Sequence, residues 1–169
     1  QLEISDSHNR RFYESIEWAL NEDGQFGWDE KPFNDQLATT LSQLSQNLHS
    51  VGFVGEISIR SHLGRFCQTT SSNGEPSLPD ADATLSNCEI TQFTPSLAES
   101  MGTEQTPGFE RFLAAFQSEY GEDIELSLST AGDRRPLARY PAQDPDISAE
   151  RWNKAATRNQ RIEISINPY

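Results

Sequence analysis

The sequence predicts an α/β two-layer sandwich with a mixed sheet, and three observations carry that prediction. Two segments place apolar residues at helical spacing: Leu37, Leu41, Leu44 and Leu48 in one, and Phe109, Phe112, Leu113, Phe116 and Tyr120 in the other. Four shorter segments alternate apolar with polar residues, as strands with one buried face do. The two kinds interleave in the order β-α-β-α-β-α-β with a polar stretch after the second strand, which needs helices crossing the face of one sheet. A chain of 169 residues and 19.0 kDa has the size of a single domain with one core.

The elements follow in order. Residues 12–20 put Phe12, Ile16, Trp18 and Leu20 on alternate positions, which predicts strand one. Gly24, Gly27 and Pro32 then break the chain into a loop carrying Phe26 and Trp28. Asn34 or Asp35 caps the helix with the leucine stripe, and Gly52 and Gly55 bracket the turn out of it. Ile57 and Ile59 alternate inward against Ser58 and Arg60 as strand two. Residues 63–105, punctuated by Gly74, Pro76, Pro79, Pro95 and Gly102, show no apolar period and read as an insertion. Thr106 caps the second helix with Pro107 at its first position, and Gly121 ends it. Ile124, Leu126 and Leu128 mark strand three. A basic, Pro-rich connection leads to a short helix capped by Ser148 and holding Trp152, Ala155 and Ala156. Ile162, Ile164 and Ile166 form strand four.

Composition narrows the function. Leu, Ile, Val and Phe fill 35 of 169 positions, just above the level of a disordered charged chain. No apolar run is long enough to span a membrane, no signal peptide is evident, and Gln1 reads as the start of a trimmed fragment. A net charge of −13 argues against a nucleic-acid partner. The charge is uneven: residues 1–100 carry 15 acids against 5 bases, whereas residues 132–169 carry 5 acids against 7 bases, the only segment that could favour an anion. Within it Arg134, Arg135 and Arg139 read as a solvated loop, with an anion site as the alternative. Cys67 and Cys88 enclose turn-rich composition and read as a disulfide, with two buried thiols as the alternative and a metal pair as a poorer one, because His8, His49 and His62 are not spaced for zinc. No His-Glu-x-x-His, no phosphate loop with Lys and no nucleophile set is present, so no cofactor and no enzyme activity are expected.

The closing stretch, with Asn159, Gln160, Arg161, Ile162, Glu163 and Ile164, resembles the end of the OmpA-like domain. That family is the peptidoglycan-binding module of OmpA proteins, peptidoglycan-associated lipoproteins and flagellar stator B subunits. It ends in a short helix, an Asn-Arg-Arg turn and a strand beginning Val-Glu-Ile. Residues 57–62, ISIRSH, look like the family strand that ends in Gly-His-Thr-Asp, and residues 131–138, AGDRRPLA, are similar to its Gly-x-x-x-Pro-x-Ala turn. The resemblance covers nearly the whole chain except the insertion. It implies a periplasmic domain, tethered to a membrane by a segment outside this chain, that binds the peptidoglycan stem peptide without turnover.

The departures fall on the family's ligand residues. The Asp that would bind the diaminopimelate ammonium aligns with Gly64. The Arg of the family's Leu-Ser-x-x-Arg-Ala helix, which would bind the carboxylate, aligns with Glu89 in the register through Leu85 and Ser86. In the other register it aligns with Gly108, leaving Arg111 one turn later. The resemblance therefore implies a ligand set of His62, Gly64, Arg65, Arg111, Asn159 and Arg161. Each also has a plainer reading: His62 as a strand-end residue, because no Ser, Cys or acid stands at a telling spacing, and Asn159 and Arg161 as pins between the last helix and strand. The alternative function is an OmpA-like domain that has lost the wall ligand and serves as a protein-interaction or dimerisation module, with a homodimer or a membrane-assembly partner.

Overall fold

The computed structural model describes residues 2–169, with side chains described from residue 8 onward. Its elements are α1 (Leu2–Glu22), α2 (Asp35–Ser50), β1 (Gly55–His62), β2 (Cys67–Thr70), β3 (Pro76–Ser77), β4 (Glu89–Ile90), α3 (Pro95–Gly102), α4 (Pro107–Tyr120), β5 (Ile124–Gly132), α5 (Ala149–Asn159) and β6 (Arg161–Pro168). The main sheet has the order β5-β1-β6, with β1 parallel to β5 and antiparallel to β6. It is a mixed sheet in an α/β sandwich. Ile57 and Ile59 of β1, Ile124 of β5, and Ile162, Ile164 and Ile166 of β6 turn one face inward against Leu41, Leu44 and Leu48 of α2 and Phe109 and Phe116 of α4. The other face carries Glu56, Ser58 and Arg60, only half-buried.

The helix starts are built by side chains that satisfy otherwise unpaired backbone N–H groups. Asn34 accepts from the Leu37 N–H, Thr106 from the Phe109 N–H with Pro107 at the first position, and Ser148 from the Arg151 N–H. After α2 the backbone enters the left-handed region at Gly52, with φ of 78°, where a side chain would be strained.

Two expectations are corrected. The segment expected as strand one, 12–20, belongs to the 21-residue helix α1. The alternation counted Phe12 and Trp18 as buried, but they are 52% and 68% exposed. Tyr13, Ile16 and Leu20, at i, i+3 and i+7, are the residues that pack on the core. The main sheet accordingly has three strands, not four. The region 63–105, read as an insertion without an apolar period, holds a small antiparallel sheet of order β3-β2-β4, a single 3-10 turn at Leu85–Asn87, and α3. Helix α3 turns Leu97 and Met101 outward and approaches β5 through the small residues Ala98 and Gly102: a Cβ on Gly102 would lie 2.7 Å from the Thr130 Cβ. The disulfide between Cys67 and Cys88 joins β2 to the residue before β4, with Cα atoms 5.5 Å apart.

Helix α1 lies along the outer edge of β6. Asn21 accepts from the Ile164 N–H at 2.8 Å and donates to the Ile164 carbonyl at 3.1 Å, and Glu17 accepts from the Ile166 N–H at 2.6 Å. Just after the helix, the Gly24 carbonyl accepts from the Ile162 N–H and the Phe26 N–H donates to the Gln160 carbonyl.

Candidate functional site

Three segments that carry the family resemblance meet at one corner, where β1 ends and β6 begins. His62 pairs in register with Arg161 on β6 and, across a bulge, with Gly132 on β5. The Leu63 N–H donates to the Gly132 carbonyl at 2.8 Å. The corner thus gathers His62, Gly64, Arg65, Asn159 and Arg161. Arg111 does not join them: it is exposed on α4, the helix that packs on α2. The register through Leu85 and Ser86 falls in the single 3-10 turn and puts Glu89 in a strand, so no helix presents that residue. In the other register, Gly108 sits against the Asp35 carboxylate, which also accepts from the Thr106 hydroxyl at 2.6 Å.

Within the corner each candidate is held by packing. A Cβ on Gly64 would overlap the Ala156 carbonyl oxygen of α5 and lie 2.9 Å from its carbon and 3.1 Å from the Phe66 ring, so no aspartate fits there. The Gly64 N–H donates to the Gln160 side-chain oxygen at 3.3 Å, and the other end of that amide donates to the Gly27 carbonyl at 2.7 Å. Asn159, 1% exposed, accepts from the Ala138 N–H at 2.6 Å and donates to the Ala138 carbonyl at 2.9 Å. Arg161 donates to the carbonyls of Asn159 and Arg135 at 3.2 and 3.3 Å.

Arg65 is locked from three sides. Its N–H donates to the Tyr140 hydroxyl at 2.8 Å, its carbonyl accepts from the Trp152 indole at 2.7 Å, and its guanidinium lies 4.7 Å from the centre of the Tyr140 ring. Tyr140 stacks on Trp152 with centroids 4.7 Å apart. Behind these, Asn153 of α5 accepts from the Cys67 N–H and donates to the Cys67 carbonyl, tying the disulfide-bonded strand to the helix.

Among the described residues, the buried side-chain polar atoms without a hydrogen-bond partner are both ring nitrogens of His62 and Nε of Arg65, all at this corner. His62 is 2% exposed, and its Nε2 lies 3.8 Å from Glu163 Oε1. Burial, reinforced by the positive charge of Arg161, lowers its pKa to about 4, against which Glu163 pulls upward. The ring is therefore neutral at pH 7. Among the described residues, no three His, Cys, Asp or Glu side chains gather closely enough to hold a metal ion.

Sequence reasoning missed Tyr140, Asn153 and Gln160 at this corner. A second feature it missed is a crevice of about 330 Å³ between α3 and the end of β5, lined by Phe93, Ala98, Glu99, Gly132, Asp133 and Arg134. No protein-family model matches the chain, no curated protein matches it, and no solved structure matches its fold. Among the described residues, no helix is long and apolar enough to cross a membrane.

Proposed function

We propose that this chain is a non-catalytic binding domain of OmpA-like type whose diaminopimelate pocket has become structural packing, so that it holds a protein partner or a second copy instead of the wall. The observation that carries this reading is Gly64. A Cβ there would overlap the Ala156 carbonyl oxygen, leaving no space for the carboxylate that the family's ligand chemistry requires. The OmpA-like assignment draws support from the convergence of three separate segments, 57–62, 131–138 and 159–164, on one corner. The helix at 2–22, where the family order has a strand, departs from it. The Cys67–Cys88 bridge fits an oxidising compartment such as the periplasm.

A specific observation favours wall binding as the second reading. The crevice beside α3 brings Glu99, Asp133 and Arg134 to one opening, the pairing of carboxylate and guanidinium that a zwitterionic diaminopimelate end needs. Co-sedimentation with purified sacculi, using an ordinary OmpA-like domain as positive control, separates the two. The proposed function expects this chain in the supernatant. Pelleting that Asp133→Ala and Arg134→Ala abolish would overturn it in favour of the crevice.

A further inference from the structure

A basin of about 390 Å³ opens between the loop at 138–141 and α5, and its rim is made of cations. Arg139, Arg151, Lys154 and Arg158 line it with Ala138, Tyr140, Pro141 and Ala155, and no acid is among the lining residues. Arg151, Lys154 and Arg158 stand at i, i+3 and i+7 of α5 and share one face of the helix. Four of the thirteen Lys and Arg residues of a chain with net charge −13 are gathered in this one place.

The fold leaves these four unused. No carboxylate among the described residues lies within 4.0 Å of any of them, and none donates a side-chain hydrogen bond within the described chain. Neighbouring cations behave differently: Arg134 bonds the Ala131 carbonyl, Arg161 bonds two carbonyls, and Arg65 covers Tyr140. Holding four like charges together is unfavourable, and although Arg158 in the last turn of α5 suits the helix dipole, Arg151 in the first turn opposes it beside Glu150. A bound anion would offset both. The floor beneath the charges is fixed in advance, since Asn159 clamps Ala138, Tyr140 is sandwiched between Arg65 and Trp152, and Ala155 is buried.

We infer that this basin is a binding site for a phosphate-bearing ligand with at least two negative charges. A single carboxylate offers one charge and two oxygens, enough for one arginine. A phosphate group offers more charge and more oxygens in the geometry that guanidinium forks engage bidentately, so it suits a rim of several cations better than a carboxylate does. The basin's volume is in the range of small-ligand clefts. Glu150, in the first turn of α5 beside Arg151, is the acid nearest the basin, and acids farther than about 8 Å are largely screened at physiological salt.

The test uses two probes for the two sources of such a group. Sodium tripolyphosphate is titrated calorimetrically into the protein, and vesicles of phosphatidylcholine with and without phosphatidic acid, whose phosphomonoester can carry two charges, are floated with it. Binding of either probe should weaken as salt rises. The double variants Arg151→Gln with Arg158→Gln and Arg139→Gln with Lys154→Gln should each lose about tenfold or more in affinity, as expected for removing charge-assisted hydrogen bonds. Lys31→Gln with Arg111→Gln, both exposed and outside the basin, should bind like the parent. Tripolyphosphate alone identifies a soluble ligand, and anionic vesicles alone identify a lipid headgroup; either upholds the site. Absence of binding to both probes, or an equal loss in the basin and control variants with unchanged circular dichroism, overturns it.

Discussion

Replacing Asn159 distinguishes a structural corner from a ligand site. Its side-chain amide replaces a strand partner for Ala138, accepting from the N–H and donating to the carbonyl, at a residue that is itself buried. Asn159→Ala removes both partners and leaves two backbone groups unsatisfied. Each buried orphan costs about 1 to 3 kcal/mol, so the variant should lose about 2 to 6 kcal/mol. Asn159→Asp gives a sharper version. At neutral pH the carboxylate keeps the acceptor, loses the donor and faces the Ala138 carbonyl, so its pKa should be raised by burial. A group whose folded pKa is raised stabilises at pH below its unfolded value and loses that contribution as pH rises, so the deficit of Asn159→Asp relative to the parent should shrink on acidification. The deficit of Asn159→Ala should stay constant. Urea denaturation followed by tryptophan fluorescence at several pH values measures both. A loss below about 0.5 kcal/mol for Asn159→Ala, with unchanged denaturant slope, would refute the clamp, because that is the range of inconsequential surface changes.

Other outcomes follow from the same structure. Gly64→Asp, which restores the family's carboxylate in sequence, should destabilise by about 1 to 3 kcal/mol or more through overlap with the Ala156 carbonyl and should not create sacculus binding; a stable variant that pellets with sacculi contradicts this. Reducing the Cys67–Cys88 bond should cost roughly 3 kcal/mol by the chain-entropy estimate, read as a fall in urea midpoint, and two free thiols in unreduced, denatured protein would remove the premise. Leu41→Ala, at a fully buried position, should cost about 2 to 5 kcal/mol, and an unshifted thermal midpoint would show that the leucine stripe does not face the core. His62 has a folded pKa of about 4, below its unfolded value of 6.5, so the unfolded chain binds the extra proton between those values. Its contribution is complete above about pH 6.5 and is lost as pH falls to 4, on the order of 3 kcal/mol in all. Glu163, Arg161 and Arg60 are the charged groups that act on it. His62→Gln should flatten the stability profile in that window, and a parent-like profile would place the transition elsewhere.

What was legible in the sequence divides along physical lines. Helices α2, α4 and α5 were visible because each carries its own start signal, Asn34, Thr106 with Pro107, and Ser148, before an apolar face. Helix α1 was not, because Ile16 and Leu20 satisfy both a two-residue and a helical period. Only the position of the core decides between Phe12 and Trp18 on one side and Tyr13 on the other. Helix α3 escaped because its packing residues, Ala98 and Gly102, are small and leave no hydropathy signal. The structure places five of the six candidate residues at one corner and Arg111 elsewhere, on α4, because a helical stripe reports a face and not the neighbour of that face. Tyr140, Asn153 and Gln160 act across 75, 86 and 96 residues of chain respectively, separations over which spacing carries no information.

The cover over β6 rests on side chains rather than on a ladder. A strand edge presents alternating donors and acceptors that any extended chain can join, and such edges are where folded proteins polymerise. Here Asn21 and Glu17 occupy three of those positions with groups that cannot propagate, since a helix offers no second edge behind them. Growth of one molecule on another through β6 is therefore halted by these two residues and by the backbone at Gly24 and Phe26, not by the sheet itself. Asn21→Ala with Glu17→Ala would leave the sheet and its core intact while unblocking the Ile164 and Ile166 positions. The consequence would be concentration-dependent association visible by light scattering, from a protein whose interior had not changed.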